Sequence, residues 1–218
     1  MSRIAAVAGL LFLSVMPHAR AVTPESRRLT ERGIDQAANG DYRAATASYS
    51  KAIVADPTNA QAWHERGMAR LELGQDQQAI GDFEQALKLD PAFPGAREWL
   101  AKALAGRGDH PRAAEACLAH LRADPLGKSY MGVSPWDWAE CAEQFALAGD
   151  RARAIQLLEE YFAEYAPQVT YRRSDETAPM RTLARLYDEA GAPEKAAEMR
   201  RRARASPHKV PADDQDSK

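Results

Sequence analysis

The feature that most constrains the fold of this 218-residue chain is an internal period of 34 residues. Residues 26–59 and 60–93 align end to end, and seven positions carry matching residue types in both units. The matched pairs are Leu29 and Trp63, Gly33 and Gly67, Gly40 and Gly74, Ala45 and Ala79, Tyr49 and Phe83, Ala52 and Ala86, and Pro57 and Pro91. A fixed period of this length indicates a repeat architecture, in which neighbouring units share one continuous core.

Each repeated position has a physical role in a pair of helices. A small residue such as Gly33 lets the two helices of a unit approach where they cross, and Tyr49 supplies a large apolar wedge toward the next unit. Gly40 ends the first helix, because a left-handed residue is least costly for glycine. Pro57 closes the second helix, since proline cannot continue it. The pattern therefore predicts an all-α chain of stacked helix pairs.

This arrangement of small, aromatic and proline positions resembles the tetratricopeptide repeat family. The resemblance implies a right-handed α-solenoid of about five units, the last three of which match less well (residues 94–127, 135–168 and 177–205). Two units carry a bulky residue, His120 or Tyr161, where the pattern has a small one, and each is followed by an insertion (residues 128–134 and 169–176). We expect the stacking to open or turn at these joints; the insertions either carry contacts or act as spacers.

The two ends of the chain differ from the repeats. Residues 1–21 combine Arg3, an uncharged apolar run over residues 4–16 and the small-residue pattern Ala19-Arg20-Ala21, which is typical of a signal peptide cleaved after Ala21. The alternative is an uncleaved N-terminal anchor. Arg200 occupies the wedge position of the last unit, so we expect that unit to cap the core, and we expect residues 206–218 to form a disordered tail. The leader predicts a periplasmic or secreted protein.

The charge balance after removal of the leader excludes several kinds of partner. Loss of Arg3 and Arg20 leaves 27 basic residues against 31 acidic ones, a net charge of about −4. Binding to nucleic acid generally needs a basic surface, so none is predicted. We also expect no membrane span in the mature chain. The predicted partner is therefore a protein or a peptide.

In the family that the chain resembles, the first helices of successive units line a concave groove. The resemblance implies that the following positions face it: Ile34, His64, Met68, Leu71, Lys102, Arg181 and Arg185. The apolar strip of Ile34, Met68 and Leu71 suits a helix or an extended peptide, although these side chains could equally complete the core.

Three arginines occupy positions of the first helices where the family has apolar residues. Arg32, Arg66 and Arg70 either bind acidic groups of a partner or pair with neighbours such as Glu31, Asp35 or Glu65.

Aromatic residues flank the joint before the fourth unit. Trp138 is expected in the core, whereas Tyr130 and Trp136 are candidate exposed anchors, the alternative being that they pack within the loop. Cys117 and Cys141 are predicted on neighbouring helices at the same joint. They either form a disulfide or remain two buried free thiols.

The sequence contains no recognisable catalytic arrangement. Its histidines have no second ligand at metal-binding spacing, and there is no nucleophile elbow, phosphate loop or dinucleotide fingerprint. We therefore predict a protein without enzymatic activity, cofactor or metal, acting as a scaffold or adaptor of the cell envelope. The alternative is a non-catalytic accessory or substrate-holding subunit of an envelope enzyme or of a secretion or assembly complex.

Overall fold

The computed structural model describes residues 21–93, 95–123, 134–168 and 177–205. Within these residues the chain is helical and has no strand. The helices are α1 (Pro24–Ala38), α2 (Tyr42–Ala55), α3 (Ala60–Glu72), α4 (Asp76–Leu89), α5 (Ala96–Gly106), α6 (His110–Ala123), α7 (Pro135–Leu147), α8 (Arg151–Glu160), α9 (Thr177–Glu189) and α10 (Pro193–Ala205). Each helix packs on the next one along the chain, from α1 to α10, as expected for a solenoid of helix pairs. The predicted all-α fold class is confirmed.

The turn inside each helix pair is made by a glycine in the left-handed conformation. These glycines have φ between 68° and 87°, and they are Gly40, Gly74, Gly108, Gly149 and Gly191. A side chain would be strained at that backbone angle, so glycine ends the first helix at little cost. Several second helices then start at an aspartate; for example, Asp41 Oδ1 accepts a hydrogen bond from the amide of Ala44 at 3.0 Å.

The aromatic wedge of each early pair lies against the glycine of the same pair. A Cβ atom added to Gly33 would lie 2.4 Å from a ring carbon of Tyr49, and one added to Gly67 would lie 2.7 Å from Phe83. Both rings are completely buried. The main role of these glycines is therefore to leave room for an aromatic ring between the two helices, and a direct approach of the two backbones matters less.

The two predicted joints differ in the structure. Tyr161 is almost fully buried, with its ring centroid 5.4 Å from that of Trp138, and α7 packs directly on α9. The chain accommodates this bulk by a π-helical turn over Tyr161–Tyr165, which widens the helix after α8 and leads into a 3-10 turn over Ala166–Gln168. At the His120 joint, in contrast, a cavity separates α5 from α7.

Several predicted features lie outside the described residues. These are the leader before Ala21, the anchor candidate Tyr130, the insertions except Ser134, and the tail over residues 206–218. In the part of the chain that is described, no helix is both long and apolar enough to cross a bilayer.

Candidate partner-binding surface

The first helices of the pairs form one side of the solenoid. Consecutive first helices touch at α1 and α3, at α3 and α5, and at α7 and α9, so this side is the more tightly curved, concave one. The three residues of its predicted apolar strip differ in how far they are buried. Ile34 is partly exposed on α1, whereas Met68 and Leu71 are half-buried against the core around Phe83 and Leu104. Met68 and Leu71 therefore serve the core at least as much as the surface.

His64 lies in the core rather than on the concave surface, which corrects its prediction as a groove residue. Its ring centroid lies 5.7 Å from that of Phe83 and 5.0 Å from that of Phe93. Among the described residues neither ring nitrogen has a hydrogen-bond partner. Burial lowers the pKa of His64 to about 4, because the charged imidazolium would lose its hydration. At neutral pH the side chain is an uncharged ring packed between aromatic rings.

Two of the three arginines are bound inside the second helix pair. Arg66 donates through Nε and Nη2 to Asp82 at 3.0 and 2.8 Å, and Arg70 Nη1 donates to the same carboxylate at 2.6 Å. The side chain of Asp82 is 3% exposed. Arg66 and Arg70 therefore pair with an acid of the same chain, but that acid is Asp82 on α4 and not the neighbouring Glu65. Arg32 is exposed on α1.

The remaining basic residues of the predicted groove are at the surface. Lys102 forms an ion pair with Glu98 one turn earlier and lies 4.8 Å from the centroid of the Trp99 ring. Arg185 bridges Glu143 on α7 and Glu189 on its own helix. Arg181 is exposed on α9 as well.

A cavity at the His120 joint brings together residues that the sequence suggested separately. This joint cavity lies between α5 and α7 with α6 behind it, and it is open to solvent at its mouth. The described residues that line it are Glu98, Ala101, Lys102, Ala105, Cys117, His120, Trp136, Asp137, Glu140 and Gln144. The predicted groove residue, the bulky joint residue and the predicted aromatic anchor thus form one surface.

The start of α7 determines the position of Trp136. The backbone amide and the hydroxyl of Ser134 both donate to Asp137 Oδ2, at 2.6 and 2.7 Å, and Pro135 occupies the first helical turn. This cap holds Trp136 at the wall of the joint cavity, where it is 54% exposed, while Trp138 is buried in the rear core.

The two cysteines are neighbours at the same joint, one on α6 and one on α7. Both are buried free thiols, and Cys141 donates to the carbonyl oxygen of Ala114 at 3.8 Å. Contact with the Cys141 thiol and burial raise the pKa of Cys117 well above its usual range. Of the two alternatives, the structure therefore contains the reduced pair.

Comparison with known proteins supports the repeat assignment. A tetratricopeptide repeat family model matches residues 30–92 and 64–128, slightly less than half of the chain. A segment of 112 residues is 33% identical to part of the tetratricopeptide repeat and J domain-containing co-chaperone DNJ1 of Cryptococcus neoformans. The match covers 51% of this chain and 22% of that protein. A segment of 85 residues is 38% identical to part of the small glutamine-rich tetratricopeptide repeat-containing protein 2 of Mycosarcoma maydis, and it covers 39% of this chain and 24% of that protein. The chain thus spans about a quarter of the length of these relatives. Both are fungal, so the predicted exported, bacterial-type character stays a prediction.

Solved structures show the same fold at low sequence identity. A crystal structure of MamA superposes with a TM-score of 0.67 at 17% identity, over 82% of this chain and 90% of that one. MamA from Desulfovibrio magneticus RS-1 gives a TM-score of 0.65 at 15% identity, over 84% and 96% of the two chains. Kinesin light chain repeats from Podospora anserina give 0.58 at 22% identity, over 82% and 92%. Residues 30–128 thus match the tetratricopeptide repeat model, and the described helices share the solenoid fold of these solved structures.

Proposed function

We propose that this protein is a non-catalytic scaffold of the cell envelope that holds a segment of a partner protein on its concave face. The observation that carries the proposal is the joint cavity between α5 and α7 with the half-exposed indole of Trp136 at its wall. Tetratricopeptide repeats generally act as protein-binding modules, and solenoids offer extended concave surfaces for this purpose.

The exposure of Trp136 has an energetic meaning. A buried Trp side chain removes about 150–250 Å² from water, and roughly half of that area is still in contact with solvent here. At about 25 cal/mol per Å², covering the exposed half would contribute about 2–3 kcal/mol to association. Tryptophan beside an apolar cavity is the kind of residue that dominates protein interfaces. Trp136 is therefore the strongest candidate for an anchor on the concave face.

The location in the envelope follows from the predicted leader. A signal peptide over residues 1–21 would deliver the chain out of the cytoplasm, with cleavage after Ala21. In that compartment the scaffold would meet exported or membrane-anchored proteins. A fusion of residues 1–21 to a reporter that is active only after export tests this part of the proposal, and a fusion that stays inactive would contradict it.

Site-specific photo-crosslinking in the native organism tests the binding face. A photoreactive amino acid replaces Trp136 in one variant and Val54 in the control, since Val54 is 83% exposed on the second helix of the first pair. We expect a reproducible protein adduct from position 136, recovered in the envelope fraction, and no such adduct from position 54. Adducts of equal yield at both positions, or no adduct at position 136, would overturn the proposal.

A further inference from the structure

We propose that the joint cavity receives a bulky apolar side chain from a partner segment in which this residue is flanked by lysine or arginine. The inference rests on the proposed function, because it specifies the chemistry of the segment that the concave face holds. It is drawn from the lining of the cavity and from the arrangement of charge along α7.

The interior of the joint cavity is apolar. Ala101 and Ala105 of α5 and the thiol of Cys117 on α6 line it, and the indole of Trp136 forms part of its wall. Apart from the indole N–H of Trp136, these four side chains contribute no strong hydrogen-bonding group. A leucine, methionine or phenylalanine side chain would therefore lose no polar contact on entering, and it would cover the exposed indole.

The rim of the joint cavity is acidic. The described residues that line it include three carboxylates and one ammonium group, that of Lys102, which gives a formal charge of −2 with His120 counted as neutral. Lys102 is paired with Glu98, and Asp137 accepts the hydrogen bonds of the helix cap. Glu140 accepts a hydrogen bond from the side-chain amide of Gln144 at 3.0 Å. Because the Gln144 amide is neutral, Glu140 keeps its negative charge. Glu140 would therefore attract a cation of the partner and repel a carboxylate.

The same face of α7 carries a second carboxylate, Glu143, whose charge is paired with Arg185 of α9. Trp136, Glu140, Glu143 and Leu147 follow one another at intervals of four, three and four residues, which places them on one stripe of the helix. Trp136 and Leu147, at the two ends of the stripe, are both more than half exposed. The stripe is about 16 Å long. Glu140, whose hydrogen-bond donor Gln144 is neutral, keeps its negative charge between the two exposed apolar ends. The complement of the stripe is therefore a segment with a basic residue between apolar ones.

Two labelled model peptides test this chemistry on the purified protein. One is an amphipathic helical peptide of leucine and lysine, and the other has the same leucines with glutamate in place of every lysine. By fluorescence anisotropy we expect the leucine–lysine peptide to bind at least tenfold more tightly, with an affinity that falls as salt is added. Trp136→Ala and Glu140→Lys should each weaken its binding at least fivefold, and Glu140→Gln, which preserves the shape of the side chain, should weaken it at least twofold.

Glu31→Lys is the matched control, because it makes the same charge change at an exposed site on α1. Equal affinity for the two peptides, or an equal loss in Glu31→Lys and Glu140→Lys, would overturn the inference. If the protein instead forms a dimer that Glu140→Lys dissociates, the occupant is a second copy and the inference also fails. If cells give an adduct at position 136 but the protein shows no preference between the two peptides, the proposed scaffold function is supported and the inference of a basic partner segment is wrong.

Discussion

Removing the carboxylate of Asp82 should strongly destabilise the second helix pair. Arg66 and Arg70 both donate to this carboxylate, and their side chains are only 12% and 18% exposed. Deleting one partner of a buried ion pair typically costs about 3–5 kcal/mol. The arginine ends retain some access to water, so the lower end of that range applies. We expect Asp82→Ala to reduce the free energy of unfolding by about 3 kcal/mol.

Urea denaturation followed by far-UV circular dichroism measures this loss. The matched control is Glu84→Ala on the same helix, because Glu84 pairs with Arg112 and both side chains are about half exposed. An exposed pair contributes about 0–1 kcal/mol, so the control should unfold close to the unmodified protein. A loss below about 1 kcal/mol in Asp82→Ala would refute the reasoning. It would mean that both guanidinium groups can turn to solvent and are available to a partner.

Three further predictions concern packing, protonation and the thiols. Gly33→Ala should destabilise the protein by about 1–3 kcal/mol, because the new methyl group would lie 2.4 Å from an aromatic ring carbon. Gly81→Ala on α4 should stabilise the protein by about 0.5–1 kcal/mol, because an added Cβ would have no atom within 4 Å beyond its own helix backbone and chain neighbours. Urea denaturation in which both changes have the same sign would contradict this account. The folded state lowers the pKa of His64 from 6.5 to about 4, so the unfolded chain binds more protons between those values. Stability should therefore fall by up to about 3 kcal/mol as the pH drops from 6.5 to 4, and urea denaturation across that range should find a weaker dependence in His64→Leu; equal slopes would show that other groups are responsible. Cys141 is fully buried and should not react with iodoacetamide in the native protein. Cys117 lines the joint cavity and should react only slowly, because its raised pKa leaves little thiolate. Both should react after unfolding without reductant, as measured by mass spectrometry, and unlabelled cysteines in that sample would reveal a disulfide.

The repeat positions carried most of the information on the fold that could be obtained from the sequence. Gly40 and Gly74 were predicted to end helices, and both have the left-handed backbone that this role requires. The pairing of the arginines could not be predicted in the same way. Asp82 is 16 residues from Arg66 and 12 from Arg70, on the other helix of the pair, and local spacing points instead to acids such as Glu65. Burial of a charge depends on how two helices face each other.

The candidate site shows a similar limit. The bulky His120 and the early position of Trp136 in its helix both indicated the joint, and both line the cavity there. The same reasoning treated Tyr161 alike, yet that joint is closed and its helix is widened instead. Whether a large side chain separates two helices or is absorbed by a change in helical winding depends on the space available around it. A residue pattern does not contain that information.

The gap between α5 and α7 has a mechanical consequence. Elsewhere consecutive first helices pack on each other, but at the His120 joint most of the described contacts between the front and rear helix pairs are made by α6 with α7. Bending stiffness should therefore be lowest at this point, and a load applied to either end would concentrate there. A side chain wedged into the gap would act as a spacer between two stiff arms. The angle between the arms, and with it the reach of the whole molecule, would then depend on what the gap holds.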